Sequence, residues 1–213
     1  ENIKSNTIWL TNWKSNSSNG LSAIKMLRYI ELNFEFEMIG TLGCNLLARD
    51  IYKILGYKTG IMKRYAAINY NLNDFRILSK NNDIEYKNQF LKIKKNKNSR
   101  IIIDRIIRDK DILTNFKDEK LSKSLPFKDS SYLKNRYLNH PIYEYEIYKI
   151  QNKNNFIYLI LRKCFRENSF AYRIIDIVGD LKIFNDFSTD IIYYFFQSKA
   201  EYIDLYFYSE EIN

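Results

Sequence analysis

One histidine, His140, and two cysteines, Cys44 and Cys164, are all that this chain of 213 residues contains of those types. So little His leaves most metal-ligand sets and Ser-His-Asp schemes short of parts, and no metal site is expected. Two Cys on unrelated segments do not form a disulfide framework, and they point to a reducing compartment, read here as cytoplasmic. The 6 Gly and 2 Pro exclude collagen-like and Pro-rich linker classes. The longest apolar runs, such as Phe156 to Leu161 and Ile191 to Phe196, fall far below the roughly 20 residues that a membrane helix needs, so no membrane span is expected.

What is present is apolar and aromatic. Hydrophobic residues make up 46% of the chain, with 18 Tyr and 14 Phe, enough for one large or two small domains and too much for a disordered chain. Lys and Arg number 34 against 25 Asp and Glu, a formal charge of +9. Abundant Asn, Lys, Ile and Tyr is what AT-rich codons supply, so part of that charge reflects composition, and nucleic acid is not the expected partner. Glu1 opens without an initiator Met or an apolar leader. The chain reads as a piece of a longer frame or a processed product, with both ends open to being incomplete.

The first 80 residues alternate between strand and helix patterns. Thr7 to Trp13 is β-prone and Lys14 to Gly20 is a polar loop. Leu21 to Asn33 carries Leu21, Ile24, Leu27 and Ile30 at helical spacing, and Phe34 to Gly40 is a β-type run. Asn45 precedes a second helical pattern, Leu46, Leu47, Ile51, Leu55, that Gly56 stops. Gly60 to Asn69 reads as a further strand, so the order is strand, helix, strand, helix, strand, an α/β unit.

Residues 81–123 form a basic connector, since Lys87 to Lys123 holds 12 Lys and Arg against 5 Asp and Glu. Within it, Ile101 to Ile107 fits a short strand or a helix equally. From 124 onward the chain turns aromatic. Tyr143, Tyr145 and Ile147 alternate with Glu144, Glu146 and Tyr148, and Phe156 to Arg162 follows an Asn-rich turn, which signals a hairpin. Tyr172 to Val178 reads as a strand, Phe184 to Ser198 as a helix and Glu201 to Tyr208 as a last strand.

Asn45, Ala48, Tyr52, Leu55, Gly56 and Tyr57 stand at a spacing that resembles the last helix and turn of the GCN5-related N-acetyltransferase superfamily. The resemblance implies a mixed-sheet acyl-coenzyme A N-acyltransferase fold with acetyl-CoA or another acyl-CoA as co-substrate. It also implies an amine of a sugar or small metabolite as acceptor. Under it, Ser18, Asn19, Gly20, Leu21 and Ser22 occupy the stretch that holds the cofactor's pyrophosphate at a helix N-terminus. Ser17 and Ser22 stand where that family's loop has a basic residue and a second glycine-like position. Tyr52 falls where the family often places the general acid for the departing thiolate, Asn45 and Ala48 beside the pantetheine arm, and a backbone N–H around Leu10, Thr11 and Asn12 at the oxyanion. The residues by themselves also fit a plain helix, with Tyr52 a half-buried aromatic and Asn45 a cap.

A second resemblance covers Arg136 to Tyr145 (RYLNHPIYEY), Arg173 to Asp180 (RIIDIVGD) and Ala200 to Tyr206. These pieces look like a second acetyltransferase-type module of tandem proteins associated with surface-polysaccharide biosynthesis. Residues 1–80 would then be the C-terminal half of one module and 124–213 the N-terminal half of another, with the two halves packing as one composite sheet. The base that family uses lies on segments before the central strand, upstream of Glu1. His140, Asp176, Asp180 and Cys164 are further candidates, each with an ordinary structural reading as turn, cap or packing residue. The alternative function is a non-catalytic module that meets an anionic polymer through the basic connector.

Overall fold

The structure, a computed structural model, describes residues 7–10, 21–78, 100–107, 128–153 and 155–208. It is a mixed α+β protein that divides into two compact units, with the boundary after Gly60.

In the first unit, β1 (Thr7–Leu10) and β2 (Met38–Thr41) pair in parallel along their whole length, and α1 (Leu21–Asn33) lies between them in the chain. Parallel neighbours cannot be joined by a tight hairpin, so the crossover helix is a requirement of the pairing. α1 buries Leu27 fully and half-buries Ile24 and Ile30 on the same stripe. The expected strand over Phe34 to Gly40 begins only at Met38, and the Trp9 ring lies against Gly40, where a Cβ would come within 3.2 Å of it. α2 (Leu46–Ile54) follows, with Asn45 as its N-cap.

The second unit is built on a six-stranded sheet. Its elements are β3 (Lys63–Ile68), β4 (Ile102–Ile106), the short helix α3 (Ser130–Leu133) running into a π turn (Lys134–Leu138), β5 (Glu146–Asn152), β6 (Asn155–Arg166), β7 (Ser169–Gly179), α4 (Leu181–Phe196) and β8 (Tyr202–Phe207). The order across the sheet is β3-β8-β7-β6-β5-β4. Every neighbouring pair is antiparallel except β7 and β8, between which α4 returns the chain. The ambiguous run at Ile101 to Ile107 holds a strand, whose Ile103 packs with the core on one face of the sheet and Ile106 with the core on the other. The remainder of the basic connector lies outside the described residues.

Each face of this sheet has its own core. Ile157, Leu159, Leu161 and Tyr172 meet Ile183, Ile191, Phe195 and Phe196 of α4 on one side. Ile147, Tyr158, Ile160 and Val178 meet Leu133 and Tyr137 on the other. Fully burying such a side chain contributes roughly 1.5–3 kcal/mol, and a one-residue slip would move every one of them to the opposite face, so the register is strongly specified. The ladder nevertheless shifts once. Ile160 faces Asp176 but Leu161 faces Ile174, which leaves Ile175 as an extra residue in a bulge of β7.

The composite sheet expected from the order of elements does not form across the described residues, because β1 and β2 make a two-stranded sheet of their own. Strand β3, placed with residues 1–80 by sequence, joins the second unit by pairing with β8 from Lys63 opposite Phe207 to Ile68 opposite Tyr202. No helix among the described residues is long and apolar enough to cross a membrane.

Candidate functional site

The helix that carries Tyr52 is fastened at both ends by local chemistry. Asn45 takes an extended backbone, and its Oδ1 accepts a hydrogen bond from the Ala48 N–H at 2.8 Å. At the other end Gly56 sits at φ +88°, a left-handed conformation that a side chain would strain. Its N–H donates to the Lys53 carbonyl at 3.1 Å, and the Tyr57 N–H donates to the Tyr52 carbonyl at 2.9 Å. That is the paired closure of a Schellman motif, and its usual side-chain contact is present too: the Tyr52 and Tyr57 rings meet edge to face at 5.7 Å. The Asn, Ala, Tyr, Leu-Gly-aromatic spacing therefore has a full account in helix capping.

Tyr52 is buried, and burial, followed by the nearby Cys44, pushes its phenol above the ordinary tyrosine range. It is a neutral O–H at physiological pH, the form a proton donor needs. The Tyr57 hydroxyl donates to Glu31 of α1, which also pairs with Arg28 at 2.6 Å. Burial first and then Glu31 push the Tyr57 phenol up to about 12. Hydrogen bonds from Tyr57 and Arg28, opposed by burial, hold Glu31 below the ordinary carboxylate range. This tie joins α1 to the turn after α2.

Of the remaining residues expected to hold cofactor, Leu10 ends β1, and its carbonyl accepts from Thr41 Oγ1 at 2.8 Å. Leu21 and Ser22 open α1, whose first turn carries no acidic residue. Thr11, Asn12, Ser18, Asn19 and Gly20 lie outside the described residues. The structure thus brings Asn45, Ala48 and Tyr52 onto one short helix.

In the second unit the candidates take structural partners. His140 Nδ1 accepts the N–H groups of Ile142 and Tyr143 at 3.1 and 3.0 Å, which closes the turn before β5. Asp180 caps α4 by accepting from the Lys182 N–H at 3.1 Å. Gly179, just before it, has φ +125°, and a Cβ there would stand 2.6 Å from the Phe156 carbonyl oxygen. Asp176, next to the bulge, accepts from Lys128 Nζ at 2.6 Å and from the Tyr137 hydroxyl at 2.8 Å. Burial, then Asp176, drives the Tyr137 phenol far up. Cys164 is a half-buried free thiol on β6.

One charge cluster of this unit was not among the sequence candidates. Asp204 on β8 is fully buried, and both its oxygens are taken by arginine. Arg173 of β7 donates from Nε at 3.0 Å and from a terminal nitrogen at 2.9 Å, and Arg64 of β3 donates from Nε at 2.7 Å. Each guanidinium also lies over a tyrosine ring of β8, Arg64 over Tyr202 at 5.4 Å and Arg173 over Tyr206 at 5.1 Å. The signal for it in sequence is Asp204 between Ile203 and Leu205, a carboxylate in an apolar strand that must find a cation if it turns inward.

No protein-family model, curated protein or solved structure matches this chain.

Proposed function

We propose that the chain is an acyl-coenzyme A dependent N-acyltransferase, resembling the GCN5-related superfamily, which transfers an acetyl or related group to an amine of a sugar or small metabolite. The observation that carries this reading is the capped helix with buried Tyr52, directly following two parallel strands and their crossover helix. In this arrangement the acyl thioester supplies an activated carbonyl. The amine nitrogen forms its bond to that carbon as the carbon–sulfur bond breaks, the Tyr52 hydroxyl gives its proton to the departing sulfur, and the proton the nitrogen loses passes through solvent to restore the phenol. The N-terminus of α1, with no carboxylate in its first turn, suits the phosphates of the cofactor through the positive end of its dipole.

The second unit is the lesser candidate for the same cofactor. There the Asp180 carboxylate already occupies the helix N-terminus, and it would repel a phosphate. The reading therefore assigns acyl transfer to the first unit and leaves the second, a resembling half-module, to bind or to pack. A role in surface-polysaccharide biosynthesis goes with a sugar amine acceptor, and two free thiols go with a cytoplasmic setting.

Calorimetry of the chain with coenzyme A and acetyl-coenzyme A tests the proposal. Saturable binding is expected, and no binding at millimolar ligand would sink it. Steeply salt-dependent binding of RNA without coenzyme A binding would instead select a module that meets an anionic polymer.

A further inference from the structure

Among the described residues, Arg173 and Asp204 are the middle of three registered pairs that join β7 to β8, from Tyr172 opposite Ile203 to Ile174 opposite Leu205. Past them β7 bulges at Ile175 and keeps its pairing with β6, while β8 keeps its pairing with β3. The arginine cluster therefore sits where two parallel strands part.

Its charges do not balance. One buried carboxylate faces two guanidinium groups, leaving a surplus positive charge at side chains that are 43% exposed for Arg64 and 27% for Arg173. A single guanidinium, bound through two N–H groups as Arg173 is, already neutralises Asp204. The second, Arg64, adds little, because its own guanidinium is open to water. What the buried carboxylate does accomplish is orientation. It fixes both guanidinium groups, each of which also lies over a tyrosine ring of β8. Arg64 gives Asp204 only its Nε–H, and its guanidinium also donates to the Tyr202 hydroxyl, so of its five N–H groups some remain beyond these two.

We propose that Arg64 and Arg173, oriented by Asp204, form a binding site for the phosphate group of a small phosphate ester. Planar, fixed N–H forks match phosphate oxygens in pairs, and a phosphate has oxygens enough to meet both guanidinium groups at once, where a carboxylate has two. A half-exposed tyrosine ring, Tyr206, adjoins the site and offers a face to the organic part of the ester. The site lies wholly within the second unit, and phosphate binding there goes beyond the acyltransferase reading and does not depend on it.

Calorimetry with glucose 1-phosphate and, separately, inorganic phosphate tests the site on the full chain. The sugar phosphate is expected to bind saturably, and Arg64→Ala to weaken it at least about tenfold. Arg64→Lys should restore part of the affinity and guards against an edge strand that fails to pair. Arg105→Ala, an exposed arginine on β4 at the far edge of the same sheet, should change nothing. No saturable binding at millimolar ligand, or equal losses in Arg64→Ala and Arg105→Ala, would overturn the site. Inorganic phosphate binding as tightly as the ester would overturn the ester as its ligand. Loss of coenzyme A binding in Arg64→Ala would hand the site to the cofactor, and RNA displacing the sugar phosphate at lower concentration would hand it to a polymer. Absence of sugar-phosphate binding leaves the coenzyme A titration untouched, so the two proposals fail separately.

Discussion

Asp204 is fully shielded from water, and its neighbour across the ladder, Arg173, closes on it with two hydrogen bonds at 3.0 and 2.9 Å. The pair welds β7 to β8 where those strands share few backbone bonds. The Asp204 hydrogen bond, ahead of opposing burial, raises the Arg173 guanidinium above its already high range, so the charge on this side of the pair is permanent.

Asp204→Asn leaves two arginines facing a neutral amide. Water reaches both arginines in part, so the loss is about 1.5–3 kcal/mol, that of a hydrogen bond to a charged group, below that of a pair buried on both sides. Urea unfolding should show a loss of that order for Asp204→Asn and, because Arg64 is half-exposed, at most about 1 kcal/mol for Arg64→Ala. Equal losses would mean that Asp204 draws most of its support from Arg64.

Glu201 holds the chain that leaves β3. Its carboxylate accepts the N–H groups of Arg76, Ile77 and Leu78 at 2.6 to 3.1 Å. Burial alone would raise this carboxyl, but the three backbone donors outweigh it and hold it below the ordinary value of 4.5. A carboxylate depressed on folding contributes stability that is present above its unfolded pKa and is lost as pH falls through the folded value. Amides 76–78 should therefore be protected from hydrogen exchange at neutral pH and lose protection below about pH 4.5. In Glu201→Gln that acid-dependent step should disappear, and its persistence would place the titration elsewhere.

Tyr57 gives the opposite sign. Its phenol is raised from 10.0 to about 12. The neutral form stabilises the first unit fully below pH 10, and the contribution is lost as pH rises from 10 toward 12. Tyr57→Phe should lower stability at neutral pH and flatten its dependence across that alkaline window. A thermal-melt series from pH 8 to pH 12 reads both effects.

Tyr52→Phe keeps the ring that meets Tyr57 and removes only the hydroxyl. Acyl transfer to an amine should slow by roughly 10²–10⁴-fold, the usual contribution of a positioned acid, while coenzyme A affinity stays within a factor of a few. Unchanged turnover would leave Tyr52 as a packing residue.

Gly179→Ala tests the turn between β7 and α4. A methyl group there meets the backbone oxygen of Phe156 at 2.6 Å in a conformation that side chains avoid, and backbone cannot step aside as a flexible side chain would. A loss of about 2 kcal/mol or more is expected in chemical unfolding. A loss near zero would show that the turn can move.

The elements whose causes are local were legible in the chain itself. Asn45, Gly56 and the periodic Leu and Ile between them determine α2, because capping and the left-handed glycine act within one or two turns of helix. α1 is found over Leu21–Asn33 as its spacing predicts, and alternation set the β5–β6 hairpin. Pairing was a different matter. Strand β3 has apolar and basic residues that suit any edge, and its partner β8 lies far along the chain, so only the assembled sheet decided that it would close the second unit. The same holds for the cluster at Asp204. Arg64 stands 140 residues from it and Arg173 stands 31, and no local pattern links the three. A buried carboxylate announces only that it needs cations; which ones meet it is decided by strand order, since adjacent strands place registered side chains on the same face.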